Sequence, residues 1–366
     1  MKYYLIAGEA SGDLHGSNLI KALHLQDTSA SIRCWGGDKM EAAGATIVKH
    51  ISSLAFMGFI EIIKNLRTIL KNIRFCKNDI RNFQPDVLVL IDYPGFNLRI
   101  ARWAKKQNIR TVYYISPQVW AWKENRVHSI KKNVDKMIVI FPFEKTFYDK
   151  WNYEVEYVGH PLVPVVENFK KDHSYIQKVK GTIALLPGSR KQEIKVKLPI
   201  MLQATKQLPG HEFLVAKAPS IDAEFYAGFL KDYPNIYLFD GTYTLLMQSE
   251  AALVTSGTAT LETALFNIPE VVCYKTGNLS YEIGRRLVKL KFICIVNLIM
   301  NKEVVKELIQ HDLTPENIVH ELRLILTEHG KRDQIFRDYE ELRKLLRHHG
   351  DPSQNAAGII VSMIKK

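Results

Sequence analysis

Apolar residues recur along this chain with two different spacings, and the switching between them sets the architecture. Short unbroken runs such as Val87-Leu-Val-Leu-Ile91 are too brief for a helix and too apolar for a half-exposed strand. They read as strands buried on both faces of a parallel sheet. Longer stretches carry apolar residues every three or four positions and read as amphipathic helices. In the first half, strands are expected at Tyr3–Ala7, Ile32–Trp35, Thr46–Val48, Asp86–Ile91, Thr111–Ile115, Lys136–Ile140 and Glu154–Val158. Helices are expected at Leu14–Leu25, Phe59–Phe83 and Leu98–Gln107.

The segment Gly159-His-Pro-Leu-Val-Pro164 breaks this rhythm with two stiff prolines, and polar residues follow to about Lys180. The alternation then restarts, with strands at Thr182–Leu186, Glu212–Ala216, Ile236–Phe239, Ala251–Thr255 and Glu270–Tyr274. From about Ser280 the pattern is mostly helical. The fold class is therefore α/β, with two Rossmann-like, doubly wound domains facing a deep cleft. The boundaries expected are 1–163 for the first domain, 164–348 for the second and 349–366 for a C-terminal helix. That helix is expected to pack back on the first domain or on a partner subunit, which leaves a homodimer open.

Composition narrows the setting. The 366 residues are 46% hydrophobic, as in a globular protein, and no run approaches the ~18 apolar residues of a spanning helix. The N-terminus reads as a first strand rather than a signal peptide. Cys34, Cys76, Cys273 and Cys294 form no CxxC pair or metal-ligand spacing, so reduced cysteines of a cytoplasmic enzyme are expected. The net charge of +12 favours acidic partners but does not choose among nucleic acid, anionic lipid and nucleotides. The basic residues are spread out and no nucleic-acid-binding motif appears, which argues against nucleic acid.

Two corners carry the candidate chemistry. Leu185-Leu-Pro-Gly-Ser-Arg190 and Ser256-Gly-Thr-Ala-Thr-Leu-Glu262 each run from an apolar strand through a small-residue turn into a helix. Such turns expose amide N–H groups, and the helix adds its positive end, so the pair suits a nucleotide diphosphate. Gly188, Ser189 and Arg190 are candidate phosphate ligands, as are Gly257 and Thr258. Glu262 shares a helix face with Thr258 and can accept two hydroxyls of a ribose. A plain helix cap with solvated side chains is the alternative for both corners.

The first half offers a second set. Gly8-Glu-Ala-Ser-Gly-Asp13 follows the first strand as a loose glycine-rich loop, making Glu9, Ser11, Gly12 and Asp13 candidates for a second substrate. Asp92 ends the most apolar strand at a non-helical turn and is a candidate general base. Trp120 and Trp122 on one loop offer flat faces to a sugar or acyl chain, and His160 lies at the linker. From Phe59 onward, Ile62, Leu66, Ile69, Leu70 and Ile73 share one helical face while Lys64, Arg67 and Lys71 fall on another, with Met57 leading in. A basic amphipathic helix of this kind suits an anionic membrane surface, the alternative being a helix packed on the sheet.

Taken together, these runs resemble the lipid-A-disaccharide synthase family, glycosyltransferases of GT-B fold. The likeness rests on Ala7-Gly-Glu-Ala-Ser-Gly-Asp13, Ile91-Asp-Tyr-Pro-Gly-Phe-Asn97, Ser116-Pro-Gln-Val-Trp-Ala-Trp122, Phe141-Pro-Phe-Glu-Lys145 and Tyr157-Val-Gly-His160. It continues through the two corners above and Arg286-Leu-Val-Lys289. The resemblance implies inverting transfer of 2,3-diacylglucosamine from its UDP donor to the 6-hydroxyl of 2,3-diacylglucosamine 1-phosphate. The products would be a β-1,6 disaccharide 1-phosphate and UDP. It further implies no metal and no resident cofactor, the UDP-sugar being a substrate. Asp92 would be the base, Arg190 would stabilise the leaving diphosphate, Asn297 with Glu262 would hold the uridine and ribose, and Lys289 would reach a phosphate. Both substrates would be acylated, so the enzyme would work peripherally on the cytoplasmic face of the inner membrane of a Gram-negative cell. A related enzyme such as a UDP-N-acetylglucosamine 2-epimerase would share the C-terminal corners without needing the basic amphipathic helix.

Overall fold

The computed structural model describes residues 1–53, 66–277, 281–282 and 290–365. Among them the chain forms two compact units, one of Met1–Pro161 with Leu346–Lys366 and the other of Leu162–Leu345. In the first unit, β1 (Lys2–Ile6), β2 (Ser31–Gly36), β3 (Thr46–His50), β4 (Val87–Ile91), β5 (Thr111–Tyr114), β6 (Lys136–Val139) and β7 (Glu156–Tyr157) form one sheet. Their order is β3-β2-β1-β4-β5-β6-β7, and every pairing is parallel. All five residues of β4 are buried, as its unbroken Val/Leu/Ile run demands of a strand covered on both faces.

In the second unit, β8 (Thr182–Leu186), β9 (Glu212–Ala216), β10 (Ile236–Phe239), β11 (Ala251–Thr255), β12 (Glu270–Tyr274) and β13 (Lys306–Ile309) pair in parallel. The order is β10-β9-β8-β11-β12-β13. β13 lies inside the stretch that periodicity reads as mostly helical. It is a four-residue edge strand with a polar start, Lys306-Glu307, too short and too mixed to give an apolar run. In each sheet the strand order reverses once, between β1 and β4 and between β8 and β11. Ligands of open α/β sheets gather at the carboxyl ends of the strands flanking such a reversal.

The first helix runs Ala10–Gln26, so Ser11, Gly12 and Asp13 form its opening turn rather than a loop. Glu9 takes the extended N-cap conformation, and Gly12 lets the helix settle close on Ala7, 3.1 Å from where a Cβ would sit. The C-terminal helix Pro352–Lys365 belongs to the first unit, burying Ala356, Ala357, Ile360 and Val361. Gln26 Nε2 donates to the Gln354 carbonyl at 2.9 Å, and Arg110 Nη1 donates to the Met363 and Ile364 carbonyls at 3.0 and 2.9 Å. No helix among the described residues is long and apolar enough to cross a membrane.

Candidate active site

In the first unit the reversal point is built around Asp92, the residue after β4. Asp92 and Tyr93 both sit in the left-handed region, at φ 45° and 49°. Two consecutive non-glycine residues there store backbone strain, which surrounding contacts must hold. They do so at the Asp92 carbonyl, which accepts Asn97 Nδ2 at 2.8 Å and the Tyr113 hydroxyl at 2.6 Å. Asn97 is fully buried and also donates to the Ile6 and Ile91 carbonyls, tying the ends of β1 and β4 together. Gly8 fits beneath the Tyr93 ring, where a Cβ would lie 2.3 Å from a ring atom. The Asp92 carboxyl is thereby aimed from a pinned turn. Burial raises its pKa from an ordinary 3.8 to about 6, and the neighbouring Glu9 carboxylate pushes the same way.

The loop after β5 is tied to both ends of the helix Pro142–Asp149. The Ser116 hydroxyl and the Tyr148 phenol share a buried hydrogen bond of 2.7 Å, and Trp120 packs edge-on against Phe143 with centroids 4.9 Å apart. Glu144 anchors this corner. Its carboxylate accepts the backbone N–H groups of Ile140 and Phe141 at 3.3 and 3.0 Å. Burial lifts its pKa to about 7, against those amides and the nearby Trp120 and Ser116 donors. Trp122 is 46% exposed. Ser11 is exposed at the first helix's opening turn, and Gly12 is buried beside it.

Two sequence candidates take structural duties here. Asp13 is 5% exposed, and its carboxylate accepts the backbone N–H groups of Gly37, Lys39 and Met40 at 2.7, 3.2 and 3.1 Å. It caps the neighbouring helix Asp38–Ala42, and that occupation, rather than substrate binding, accounts for its burial. His160 is buried against Phe141, with rings 5.2 Å apart. Burial lowers its pKa well below 6.5, and His15, buried nearby, lowers it further. Both imidazoles are therefore neutral at pH 7.

In the second unit, Gly188 has φ 127°, a backbone that favours glycine, and a Cβ there would lie 2.6 Å from Glu193 Oε2. The Glu193 carboxylate faces the loop that the sequence marks for phosphate. It accepts the Ser189 N–H at 3.3 Å and Arg190 Nη1 at 3.5 Å. Ser189 and Arg190 are otherwise exposed at the mouth of the helix Lys191–Thr205. One turn on, Lys197 is 3% exposed; burial lowers its pKa, while Glu193 opposes the shift. At the other corner Gly257 N-caps the helix Thr258–Leu265 with nothing within 4 Å of a Cβ position, and Thr258 is exposed. These two corners follow β8 and β11, the strands that flank the reversal. Glu262 accepts the Tyr243 hydroxyl at 2.6 Å, and burial raises its pKa.

The resemblance implies that Asn297 holds the uridine. Asn297 is fully buried, its Nδ2 donates to the Val305 carbonyl and Glu307 Oε1 at 2.9 Å, and its Oδ1 accepts the Val304 and Val305 N–H groups. Its amide is spent on joining the helix Ile295–Met300 to β13. Of the basic amphipathic stretch, Met57, Phe59, Ile62 and Lys64 lie outside the described residues, as does Lys289. Within the helix Leu66–Phe83, Ile73 is buried and Ile69 is partly buried against the core, so that face is turned mainly inward. Leu70 and Phe75 are 48% and 47% exposed and share that surface with exposed Arg67, Lys71 and Arg74. Asn97, Tyr113, Glu144 and Tyr243 are residues supporting the candidate site that sequence reasoning did not single out. For Asn97 the available signal was a polar side chain on the apolar face of a helix that opens with Pro94.

Two parallel α/β units, each with a small-residue corner at its reversal point, give the chain a GT-B-type fold. Solved structures agree on the fold. A glycotransferase of kitacinnamycin superposes with a TM-score of 0.66 at 14% identity, covering 99% of both chains. The UDP-GlcNAc 2-epimerase of Neisseria meningitidis, bound to UDP-GlcNAc, gives 0.64 at 13% identity over the full length of both. At such identity the likeness is one of fold. The model of the lipid-A-disaccharide synthetase family matches residues 3–362. The lipid-A-disaccharide synthase of Syntrophus aciditrophicus (strain SB) is 39% identical over 99% of this chain and 97% of the relative. That of Coxiella burnetii (strain RSA 331 / Henzerling II) is 37% identical over 98% of each. The chain belongs to the lipid-A-disaccharide synthetase family, and it is a glycosyltransferase. An epimerase role is not favoured.

Proposed function

We propose that the chain joins two acylated glucosamine units, with Asp92 as general base and the Gly188–Arg190 corner as the diphosphate grip. The 6-hydroxyl of 2,3-diacylglucosamine 1-phosphate attacks the anomeric carbon of UDP-2,3-diacylglucosamine. A carbon–oxygen bond forms on the face opposite the leaving group, the bond to the UDP oxygen breaks, and the hydroxyl proton passes to Asp92. Negative charge grows on the departing diphosphate. Arg190 and the amides of Ser189 and Thr258 offset it, a contribution on the order of 3 kcal/mol per donor. Glu262, oriented by Tyr243, accepts the ribose hydroxyls. Burial above all, with the Glu9 carboxylate adding to it, keeps Asp92 basic enough to take a proton.

The observation that carries this reading is the pinned, half-buried Asp92 carboxyl with its pKa near 6, close to the value a base working near neutrality needs. The exposed Leu70 and Phe75 among Arg67, Lys71 and Arg74 support reversible docking on an anionic membrane surface, where acylated substrates reside. The test is a product assay with both acylated sugars. Disaccharide 1-phosphate should appear with one UDP released per linkage. Turnover of UDP-N-acetylglucosamine without any acceptor would overturn the assignment.

A further inference from the structure

A positive corner beside the proposed base has no role yet. The helix Val119–Trp122 ends on the exposed Trp122, and the helix Arg126–Asn133 begins four residues later. Lys123 Nζ lies 4.4 Å from the centroid of the Trp122 ring, and Arg126 Cζ lies 5.2 Å from it. Two cations thus share one indole. Among the described residues neither has a carboxylate partner, although Glu124 lies between them in sequence. Several other basic groups in this unit do have carboxylate partners. Arg33 pairs with Asp79 at 2.6 Å, Lys105 with Asp135 at 2.5 Å and Lys136 with Glu156 at 2.6 Å. Cation–π contact holds the guanidinium in place without cancelling its charge.

The position is as telling as the charge. The buried Tyr113 phenol, which donates to the Asp92 carbonyl, feels both the Asp92 carboxylate and the Arg126 guanidinium. The helix Arg126–Asn133 packs on the helix Pro94–Lys106, which opens two residues after Asp92, so the cations and the turn that aims the base belong to adjacent elements. An acceptor hexose that offers its 6-hydroxyl to Asp92 carries its anomeric substituent on the far side of the ring. A planar guanidinium with five donors matches the oxygens of a phosphate monoester, and an ammonium beside it adds a point charge.

We propose that Arg126, seated on Trp122 and assisted by Lys123, is the clamp for the 1-phosphate of the acceptor sugar. This rests on the reading of the acceptor as a sugar phosphate. Charge from the clamp fixes one end of the ring so that the other end meets the base. The indole seat keeps the fork rigid, which limits the entropy lost on binding. The corner thus selects a phosphorylated acceptor over the same sugar bearing a free anomeric hydroxyl.

The experiment compares two acceptors, 2,3-diacylglucosamine 1-phosphate and its dephosphorylated form, in detergent with the full chain. The unaltered enzyme should prefer the phosphorylated acceptor in kcat/KM. Arg126→Ala should lower that preference about 10- to 100-fold, the size of one charge-assisted contact, mainly through KM. Arg126→Lys should recover part of it. Lys123→Ala, at an exposed side chain, should shift the preference the same way by a smaller factor, and covers the case of an unfolded Arg126→Ala. UDP affinity, read by calorimetry, should be the same in all variants. An unchanged preference, or equal losses with both acceptors, would overturn the clamp. So would a loss confined to binding of phosphatidylglycerol vesicles, which would assign the cations to lipid headgroups. Absence of transfer to either acceptor by the unaltered enzyme would instead sink the parent reading.

Discussion

Replacing Asp92 by Asn separates catalysis from stability in a single variant. The two side chains are nearly isosteric, and Asn tolerates the left-handed backbone at φ 45° as well as Asp does, so the turn should persist. The carbonyl bonds from Asn97 and Tyr113 do not involve the changed atoms. What is lost is the group that accepts a proton. General-base catalysis contributes about 10²- to 10⁴-fold, so kcat should fall by that factor while UDP binds as before. In the unaltered enzyme kcat/KM should rise with pH through about 6, and the variant should lack that limb.

The same change should make the protein more stable at neutral pH. The native pKa of about 6 lies above the ordinary 3.8, so the folded state holds the proton over the interval in which the unfolded chain releases it. Stability from this group is therefore fully present below about pH 4 and is lost as pH rises towards 6. The interval corresponds to about 3 kcal/mol, which partial exposure of the carboxyl reduces to about 1–2 kcal/mol. Asp92→Asn removes that cost, raising Tm by roughly 2–8 °C at pH 8 and by almost nothing at pH 4. Thermal unfolding at the two pH values, run beside the product assay, checks both halves. A variant keeping more than a tenth of the turnover, or showing the same shift at both pH values, would refute the reasoning.

Other expectations follow from the same contacts. Arg190→Ala should weaken UDP binding about 10- to 100-fold by calorimetry, and Glu193→Gln should strengthen it several-fold by removing a carboxylate from the diphosphate loop; equal affinity in both variants would put the diphosphate elsewhere. Gly8→Ala should cost about 1–3 kcal/mol through the clash with Tyr93, and Tyr93→Ala should relieve most of it in the double variant, so additive effects would contradict the contact. Burial holds the His15 pKa at about 4 against 6.5, so its contribution is present above 6.5 and is lost as pH falls towards 4. His15→Gln should remove about 3 kcal/mol of that acid sensitivity, and an unaltered slope of stability between those values would exclude His15 as its source. Leu70→Glu with Phe75→Glu should reduce liposome binding at least about tenfold while leaving stability within about 0.5 kcal/mol, because both side chains are exposed. Undiminished binding would remove this surface from docking.

Much of the architecture was legible because parallel sheets announce themselves. Val87–Ile91, Thr182–Leu186 and Ala251–Thr255 are unbroken apolar runs, and each is fully buried. The edge strand β13 was harder to read because it is short, half-exposed and carries charge. Asp92 was legible from its place at the end of the greasiest strand. Tyr113 was not, because it reaches the Asp92 carbonyl from β5 and no local pattern encodes that distance, whereas Asn97 lies only five residues on. The helix from Phe59 misled in part. Amphipathicity gives an apolar face but not what covers it, and Ile69 and Ile73 turn that face to the core.

The two glycine-rich corners expose a deeper limit. Both Gly8–Asp13 and Gly188–Glu193 run from a strand through small residues into a helix that carries an acid in its first turn. In the first, Asp13 reaches three backbone amides of the adjacent helix with bonds as short as 2.7 Å, 95% shielded from water. That anion hole is filled for good by the chain's own carboxylate. In the second, Glu193 meets Ser189 and Arg190 only at 3.3 and 3.5 Å, at an exposed mouth. Bonds that long and that wet are weak, and a diphosphate bringing more charge to the same donors can displace them. The two acids hold formally similar positions in the sequence, yet one completes the scaffold and the other merely occupies a ligand's place. The difference lies in burial and bond length, and it favours the second corner as the one with donors left for an anion.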